Sequence, residues 1–221
     1  MNVLTRKLVA KEFYVNRWFV AGAAVGAAVS IAVCPLGKTA FNVGALTWLT
    51  TVIAFGVMIA IYGVMNERKE HSLEFVLGLP VSNADYVRSK LLGLLLCFLL
   101  PWAVSVIGVV LLVLGSDVPD GLLPYALALT TYLLTNFSVV LCGALHARSD
   151  AITSAVIILT NMSISVFMFT VGALPGFKDT MFGPTPVWNQ TFYTLIACEL
   201  AVFLIAMILP LVTVARRRDF I

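Results

Sequence analysis

The sequence contains few charged residues. Only 11% of its 221 residues are Asp, Glu, Lys or Arg, whereas 61% are hydrophobic and the mean hydropathy is +1.01. A soluble domain carries about 25% charged residues, so this composition excludes an ordinary soluble domain. It predicts a protein whose surroundings are mainly hydrocarbon.

Histidine is scarce, and the sequence has no CxxC pair. Because His71 and His146 lie in or beside connecting loops, an intramembrane serine protease and a multi-haem cytochrome are both disfavoured. The four cysteines fall within or at the ends of apolar segments, and we interpret them as packing residues. The sequence also has no GxxxxGK[ST] motif, so we expect no ATPase site in this chain. We predict no catalytic residue, no metal site and no cofactor bound by the chain.

Long apolar segments are abundant. Each can supply the roughly 20 residues that a helix needs to cross about 30 Å of hydrocarbon, and none shows the alternation of barrel strands. We therefore predict an all-α membrane protein with one transmembrane domain over residues 1–221. Its six predicted spans are residues 18–36, 43–65, 91–114, 122–145, 151–171 and 192–214.

The distribution of Lys and Arg predicts the orientation. With the N-terminus inside, twelve of these residues fall on the cytoplasmic side, whereas only Lys38 and Lys178 fall on the other side. This asymmetry predicts cytoplasmic N- and C-termini. The net charge of +3 then reflects topology, and we expect no nucleic-acid partner.

Residues 1–17 are predicted to form an amphipathic surface helix before the first span. Leu4 and Leu8 provide apolar contacts, and the basic residues face water and the headgroups of membrane lipid, which is an expected partner. Trp18 would lie at the headgroup level.

The connection between spans two and three carries most of the charge in the middle of the chain. In residues 66–82, Glu67, Glu70, His71 and Glu74 share one face of a short helix that Pro80 helps to end. After that helix, Ser82 and Asp85 resemble a capping box that begins the next one. The acidic face favours contact with a partner protein over a metal site, because basic residues lie beside it.

This segment resembles the cytoplasmic signature of the ABC type-2 permease family, E-R-x-x-x-[ST]-L-E-x-x-L-x-L-P-[VL]-S-x-x-x-[YI]-x-x-x-K. The matching residues are Glu67, Arg68, Ser72, Leu73, Glu74, Leu77, Leu79, Pro80, Val81, Ser82, Tyr86 and Lys90. The resemblance implies a multi-pass cell-membrane permease that exports a substrate. The alternatives are a secondary carrier and a non-transporting membrane scaffold.

The same resemblance implies the partners. A second permease copy, identical or paralogous, would pair with this chain, and a separate ATP-binding subunit would carry the ATP and Mg. Residues 67–78 would form the coupling helix on that subunit. The residues expected to couple to the ATPase are Glu67, Arg68, Glu70, Ser72, Leu73, Glu74, Leu77 and Pro80.

A few polar or small residues within the spans are further candidates. Glu199 is the only acid inside a span; it could serve substrate contact, proton coupling or pore lining, or it could make a structural hydrogen bond. Four other polar residues within the spans could line a translocation path, and interhelical hydrogen bonding explains them almost as well. They are Asn136, Asn161, Ser163 and Ser165. The stripe of Gly22, Gly26 and Ser30 suits a homodimer seam or packing within the subunit equally.

Overall fold

The computed structural model describes residues 3–69, 82–147 and 149–214, and within these ranges the chain consists of helices and their connections. The long helices are α1 (Val3–Val33), α2 (Lys38–Ala60), α4 (Asn83–Gly115), α5 (Leu123–His146), α6 (Asp150–Ala173) and α8 (Gln190–Thr213). The short ones are α3 (Asn66–Lys69) and α7 (Pro175–Lys178). A π-helical turn, Ile61–Met65, joins α2 to α3.

Six helices are long and apolar enough to cross a membrane, which confirms the predicted all-α fold with six spans. The long helices alternate in direction, so the bundle has two ends. The basic end is where α1, α4 and α6 begin. The loop end carries the connections around residues 34–37, 116–122 and 174–189, and there Gly121 N–H donates to Gly183 O at 3.0 Å. That the basic end is cytoplasmic stays a prediction.

The first helix is longer than its predicted span. It runs unbroken from Val3 to Val33, so the described residues 3–17 belong to the same helix as the span and do not form a separate surface helix. The physical reason is local: the first glycine is Gly22 and the first proline is Pro35, so nothing interrupts the helix earlier. Its 31 residues span roughly 46 Å at 1.5 Å per residue.

Side chains cap three of the long helices. As predicted, Ser82 is the N-cap of α4, and its Oγ accepts a hydrogen bond from Asp85 N–H at 3.1 Å. Ser149 and Asn189 cap α6 and α8 in the same way. These bonds satisfy backbone donors that a helix leaves free at its first turn.

Helix α5 lies at the centre of the bundle, and its residues are mostly buried. Phe137 of α5 stacks on Phe98 of α4 with ring centroids 4.1 Å apart, and Phe98 stacks on Phe55 of α2. Helices α1 and α4 run side by side in the same direction, because Thr5 contacts Asp85 near their starts and Ile31 lies against Gly108 near their ends. This parallel pair positions the site at the basic end.

Candidate functional site

Four charged side chains meet at the basic end and form what we call the ion-pair network: Lys11, Glu12, Glu67 and Lys90. Lys90 Nζ lies 2.7 Å from Glu12 Oε1 and 2.7 Å from Glu67 Oε1. The Lys90 and Glu12 side chains are only 3% and 7% exposed. Because buried charges are tolerated only when they are paired, this geometry makes Lys90 the centre of the network.

Glu67 has three side-chain partners, which lie on two other helices. Tyr86 O–H donates to Glu67 Oε2 at 3.2 Å, and Lys11 Nζ lies 3.4 Å from Glu67 Oε1. With Lys90, these contacts tie the residue that follows span two to both α1 and α4. The Glu67 side chain is only 16% exposed.

A close approach of α1 and α4 makes room for the buried pair. A Cβ placed on Gly93 would lie 2.8 Å from both Cβ and Cγ of Glu12. Position 93 therefore requires glycine if α1 and α4 are to remain this close together. Nearby, Thr5 Oγ1 donates to Asp85 Oδ1 at 3.2 Å, which ties the start of α1 to the capped start of α4.

The network lies directly beside an irregular part of the chain. The π-helical turn Ile61–Met65 precedes α3, in which Glu67 lies. Single π-helical turns are frequent at functional sites. Because Glu67 belongs to the network, the network holds the start of residues 66–82, the segment that the sequence predicts to contact a partner.

Most of the predicted coupling residues cannot be placed. Arg68 lies in α3, and its backbone alone is described. The others lie outside the described residues: Glu70, Ser72, Leu73, Glu74, Leu77 and Pro80.

Glu199 is buried between helices in the middle of α8. It is 5% exposed, and neither carboxylate oxygen has a hydrogen-bond partner among the described residues. Its backbone carbonyl accepts a hydrogen bond from Thr135 Oγ1 of α5 at 3.2 Å. Nine residues from the start of α8, it lies roughly 14 Å along the helix, a depth at which a charge costs about 3 kcal/mol or more. Because both carboxylate oxygens lack a partner among the described residues, the structure shows no hydrogen bond from the Glu199 carboxyl to a neighbouring helix there.

Two of the predicted path residues share a cavity. Asn136 of α5 and Asn161 of α6 line a space of about 10 Å³ beside the stacked rings of Phe98 and Phe137. Asn161 Oδ1 is buried and has no partner among the described residues. A space of this size is about the minimum for one water molecule, so the two amides form a small polar site beside these aromatic rings.

The other two predicted polar residues lie elsewhere on α6. Ser163 Oγ is 2.6 Å from the hydroxyl of Tyr132, an interhelical hydrogen bond between α6 and α5. Ser165 is exposed and does not line the cavity.

The small-residue stripe of α1 divides into two parts. A Cβ on Gly26 would lie 3.0 Å from Thr51 Cγ2, and Ser30 O lies against Gly44, so Gly26 and Ser30 pack against α2 of the same chain. Gly22 is open, with nothing within 4 Å of an added Cβ. Of the three residues, Gly22 has open space around it, and a contact of this stripe with a second copy stays a prediction.

Sequence reasoning did not identify Glu12, the most buried acid of the network. The sequence does single it out, because Glu12 is the only acidic residue among the first 66 and follows several basic ones. Among the described residues, no group of three or more His, Cys, Asp or Glu could hold a metal ion.

Comparison with known proteins agrees with this architecture. A family model described as ABC-2 family transporter protein matches residues 36–215, which include the network residues Glu67 and Lys90. No match was found among curated proteins or among solved structures. The matched region covers most of the chain, all of α2 to α8, and the chain therefore belongs to the ABC-2 transporter family.

Proposed function

We propose that this chain is the transmembrane subunit of an ABC exporter in the cell membrane. It pairs with a second permease copy, identical or paralogous, and a separate subunit binds ATP and Mg and supplies the energy. Residues 66–82 contact that subunit at the cytoplasmic face, through Glu70, Ser72, Leu73, Glu74, Leu77 and Pro80.

One observation carries this proposal: the base of the segment is tied to two membrane helices by buried charges. Glu67 is bound by Lys90 of α4, and Lys90 also binds Glu12 of α1. A push on residues 66–82 would therefore move α1 and α4 together, since their separation is fixed by close packing at Gly93. Packed helices with fixed contacts move as units in transport-type transitions.

The polar residues inside the bundle supply the proposed path. Asn136 and Asn161 share one cavity, and the Glu199 carboxyl is buried without a partner among the described residues. Ionisable residues inside membrane bundles are costly and mark substrate or ion pathways, and amide side chains in the same bundle can bond to polar groups. We propose that these three residues contact cargo when the helices separate.

The short connections at the loop end favour export. The described connections around residues 34–37, 116–122 and 174–189 hold only short helical turns, which leaves no folded domain there to receive a substrate-capturing protein. Such a domain would be expected of an importer, so export is the proposed direction.

Photo-crosslinking tests the docking surface. A photoreactive amino acid at position 74 is expected to crosslink to a Walker-motif ATPase in intact cells. The same amino acid at Asp117, an exposed position at the loop end, is the control and is expected not to. Crosslinking to the ATPase from position 117 and not from position 74 would contradict the proposed contact.

A further inference from the structure

One side of α1 at the basic end is exposed and carries positive charge. Four basic residues of this helix are exposed: Arg6, Lys7, Lys11 and Arg17. The only acid among the first 66 residues is Glu12, which lies on the buried side of α1 and is paired with Lys90. No acidic residue of α1 therefore offsets these cations on the exposed side.

Arg17 is held on the faces of two aromatic rings. Its guanidinium carbon lies 4.1 Å from the ring centre of Tyr14 and 5.5 Å from that of Trp18. Both aromatic side chains are exposed, and Arg17 makes no ion pair with a described residue. Stacking of this kind attracts and orients a guanidinium without using its five N–H donors. Those donors form the planar fork that binds a phosphate through two hydrogen bonds.

The position of Arg17 along α1 places it at the level of lipid phosphates. Arg17 is the last charged residue before the uncharged run 18–37, which is long enough as a helix to cross about 30 Å of hydrocarbon. Tryptophan, here Trp18, is enriched at this boundary. One residue further into the run, Phe19 stacks on Tyr62 with ring centroids 5.9 Å apart, and both side chains are about half exposed. A lipid at this position would meet a cation at its phosphate and an apolar surface along its acyl chains.

The neighbouring lysines favour a headgroup with net negative charge. Lys7 and Lys11 share one helix face with the two rings, because these four residues follow one another at i, i+4, i+7 and i+11. The Lys11 side chain remains 48% exposed although it contacts Glu67. A zwitterionic headgroup carries an ammonium group beside its phosphate, which these lysines would repel. An anionic headgroup has no such cation, and each basic residue near the membrane surface strengthens its binding about fivefold.

We propose that Arg17, Tyr14 and Trp18 form a binding site for the phosphate group of an anionic phospholipid in the leaflet at the basic end. The two lysines give the site its selectivity against zwitterionic lipids. A soluble acidic protein fits the site less well, because the apolar surface beside it lies within the hydrocarbon layer. The inference does not depend on the exporter proposal, because it concerns lipid binding alone.

Native mass spectrometry of the purified protein in a neutral detergent tests the site. The probes are phosphatidylglycerol and phosphatidylcholine with identical acyl chains, each titrated separately. We expect the wild type to bind its first phosphatidylglycerol about fivefold or more tightly than its first phosphatidylcholine. Arg17→Gln should remove most of this preference. Lys38→Gln is the matched control and should keep it, because Lys38 is also exposed and bounds the same uncharged run at the loop end.

A variant with unchanged charge separates a built site from general positive charge. Tyr14→Leu keeps every cation but removes one of the two rings, and it should weaken phosphatidylglycerol binding about two- to fivefold. The unfolding midpoint reports that each variant is folded, because changes at exposed positions have little effect on stability. Tyr14→Leu binding with the wild-type affinity would show general positive charge only, contrary to the proposal.

Three further results would overturn the proposal. One is equal affinity of the wild type for the two lipids. Another is a preference that Arg17→Gln changes no more than Lys38→Gln does, while both variants unfold at the wild-type midpoint. The third is displacement of phosphatidylglycerol by an equal concentration of glycerol 3-phosphate, which would show a site for soluble phosphate and not for a lipid.

Discussion

Removing the charge of Lys90 should strongly destabilise the protein. Lys90 Nζ makes two 2.7 Å contacts with Glu12 and Glu67, and its side chain is 3% exposed. In the Lys90→Met variant, Glu12 would remain buried with no cation partner among the described residues. Breaking a buried pair in this way costs about 3–5 kcal/mol.

The network contains its own matched control. Lys11 contacts the same Glu67 oxygen at 3.4 Å, but its side chain is 48% exposed. Because exposed ion pairs contribute about 0–1 kcal/mol, Lys11→Met should change the free energy of unfolding by no more than that. Both variants remove one positive charge from the same network, so their difference reports the burial of Lys90 together with its second ion pair.

A double variant separates loss of pairing from loss of packing. Replacing both partners of a buried pair with apolar residues is often neutral, so Glu12→Leu combined with Lys90→Met should recover about 2 kcal/mol relative to the sum of the single changes. The assay is equilibrium unfolding in mixed micelles, followed by tryptophan fluorescence. If Lys90→Met costs no more than Lys11→Met, or if the double variant shows only additive loss, the reasoning about buried charge is refuted.

Three further predictions use the same unfolding assay or co-purification. Gly93→Ala should lower the free energy of unfolding by about 1–3 kcal/mol, because the added Cβ would overlap Glu12. Gly22→Ala, whose Cβ would point into open space, should raise it by about 0.5–1 kcal/mol. Equal effects of the two changes would contradict the close approach of α1 and α4. Glu199→Met should unfold at the same free energy or up to about 1–3 kcal/mol higher, because it removes a buried group without a partner; a loss of stability would show instead that the carboxyl makes a structural bond. Glu70→Lys combined with Glu74→Lys should leave the free energy of unfolding within about 0.5 kcal/mol of the wild-type value while the ATPase no longer co-purifies; a stable variant that keeps its ATPase would argue against the coupling role.

The sequence was sufficient to predict the features that depend on local chain properties. Six spans follow from the length of the apolar segments, and the structure confirms them. The cap at Ser82 follows from residue types three positions apart, and the structure confirms it as well. Both signals lie within one helix or one turn, so they do not require knowledge of the tertiary arrangement.

The network could not be predicted, because its partners are distant in sequence. Glu12 and Lys90 are 78 positions apart, and their meeting depends on the parallel packing of α1 and α4. The same limit applies to Glu67: helical periodicity placed it on one face with Glu70 and Glu74, and did not reveal its contacts with α1 and α4. Periodicity identifies which residues share a face, whereas tertiary packing decides what that face contacts.

The continuation of α1 beyond its span shows a third limit. Basic residues and an interfacial tryptophan suggested a helix that turns at the membrane surface. A turn needs a break in the helix, however, and residues 3–21 contain no glycine or proline. Burial of Glu12 and Asn16 in this region also requires α1 to continue along α4, which composition alone did not reveal.

The two asparagines that share a cavity show why sites inside the bundle need a structure. Polar residues in apolar segments were recognisable as candidates, and Asn136 and Asn161 do share a cavity. Ser165 has the same kind of sequence signal but is exposed on another part of α6.

The central claim is that a separate ATPase drives this permease through residues 66–82. The most direct test is tagged purification in mild detergent with quantitative mass spectrometry, comparing the wild type, Glu70→Lys with Glu74→Lys, and a matched reversal of Asp117 and Asp120 at the loop end. The account predicts a stoichiometric Walker-motif ATPase with the wild type and the loop-end control, and its loss from the segment variant. A folded wild-type protein that purifies with no ATPase, or an ATPase retained by all three proteins, would contradict the claim.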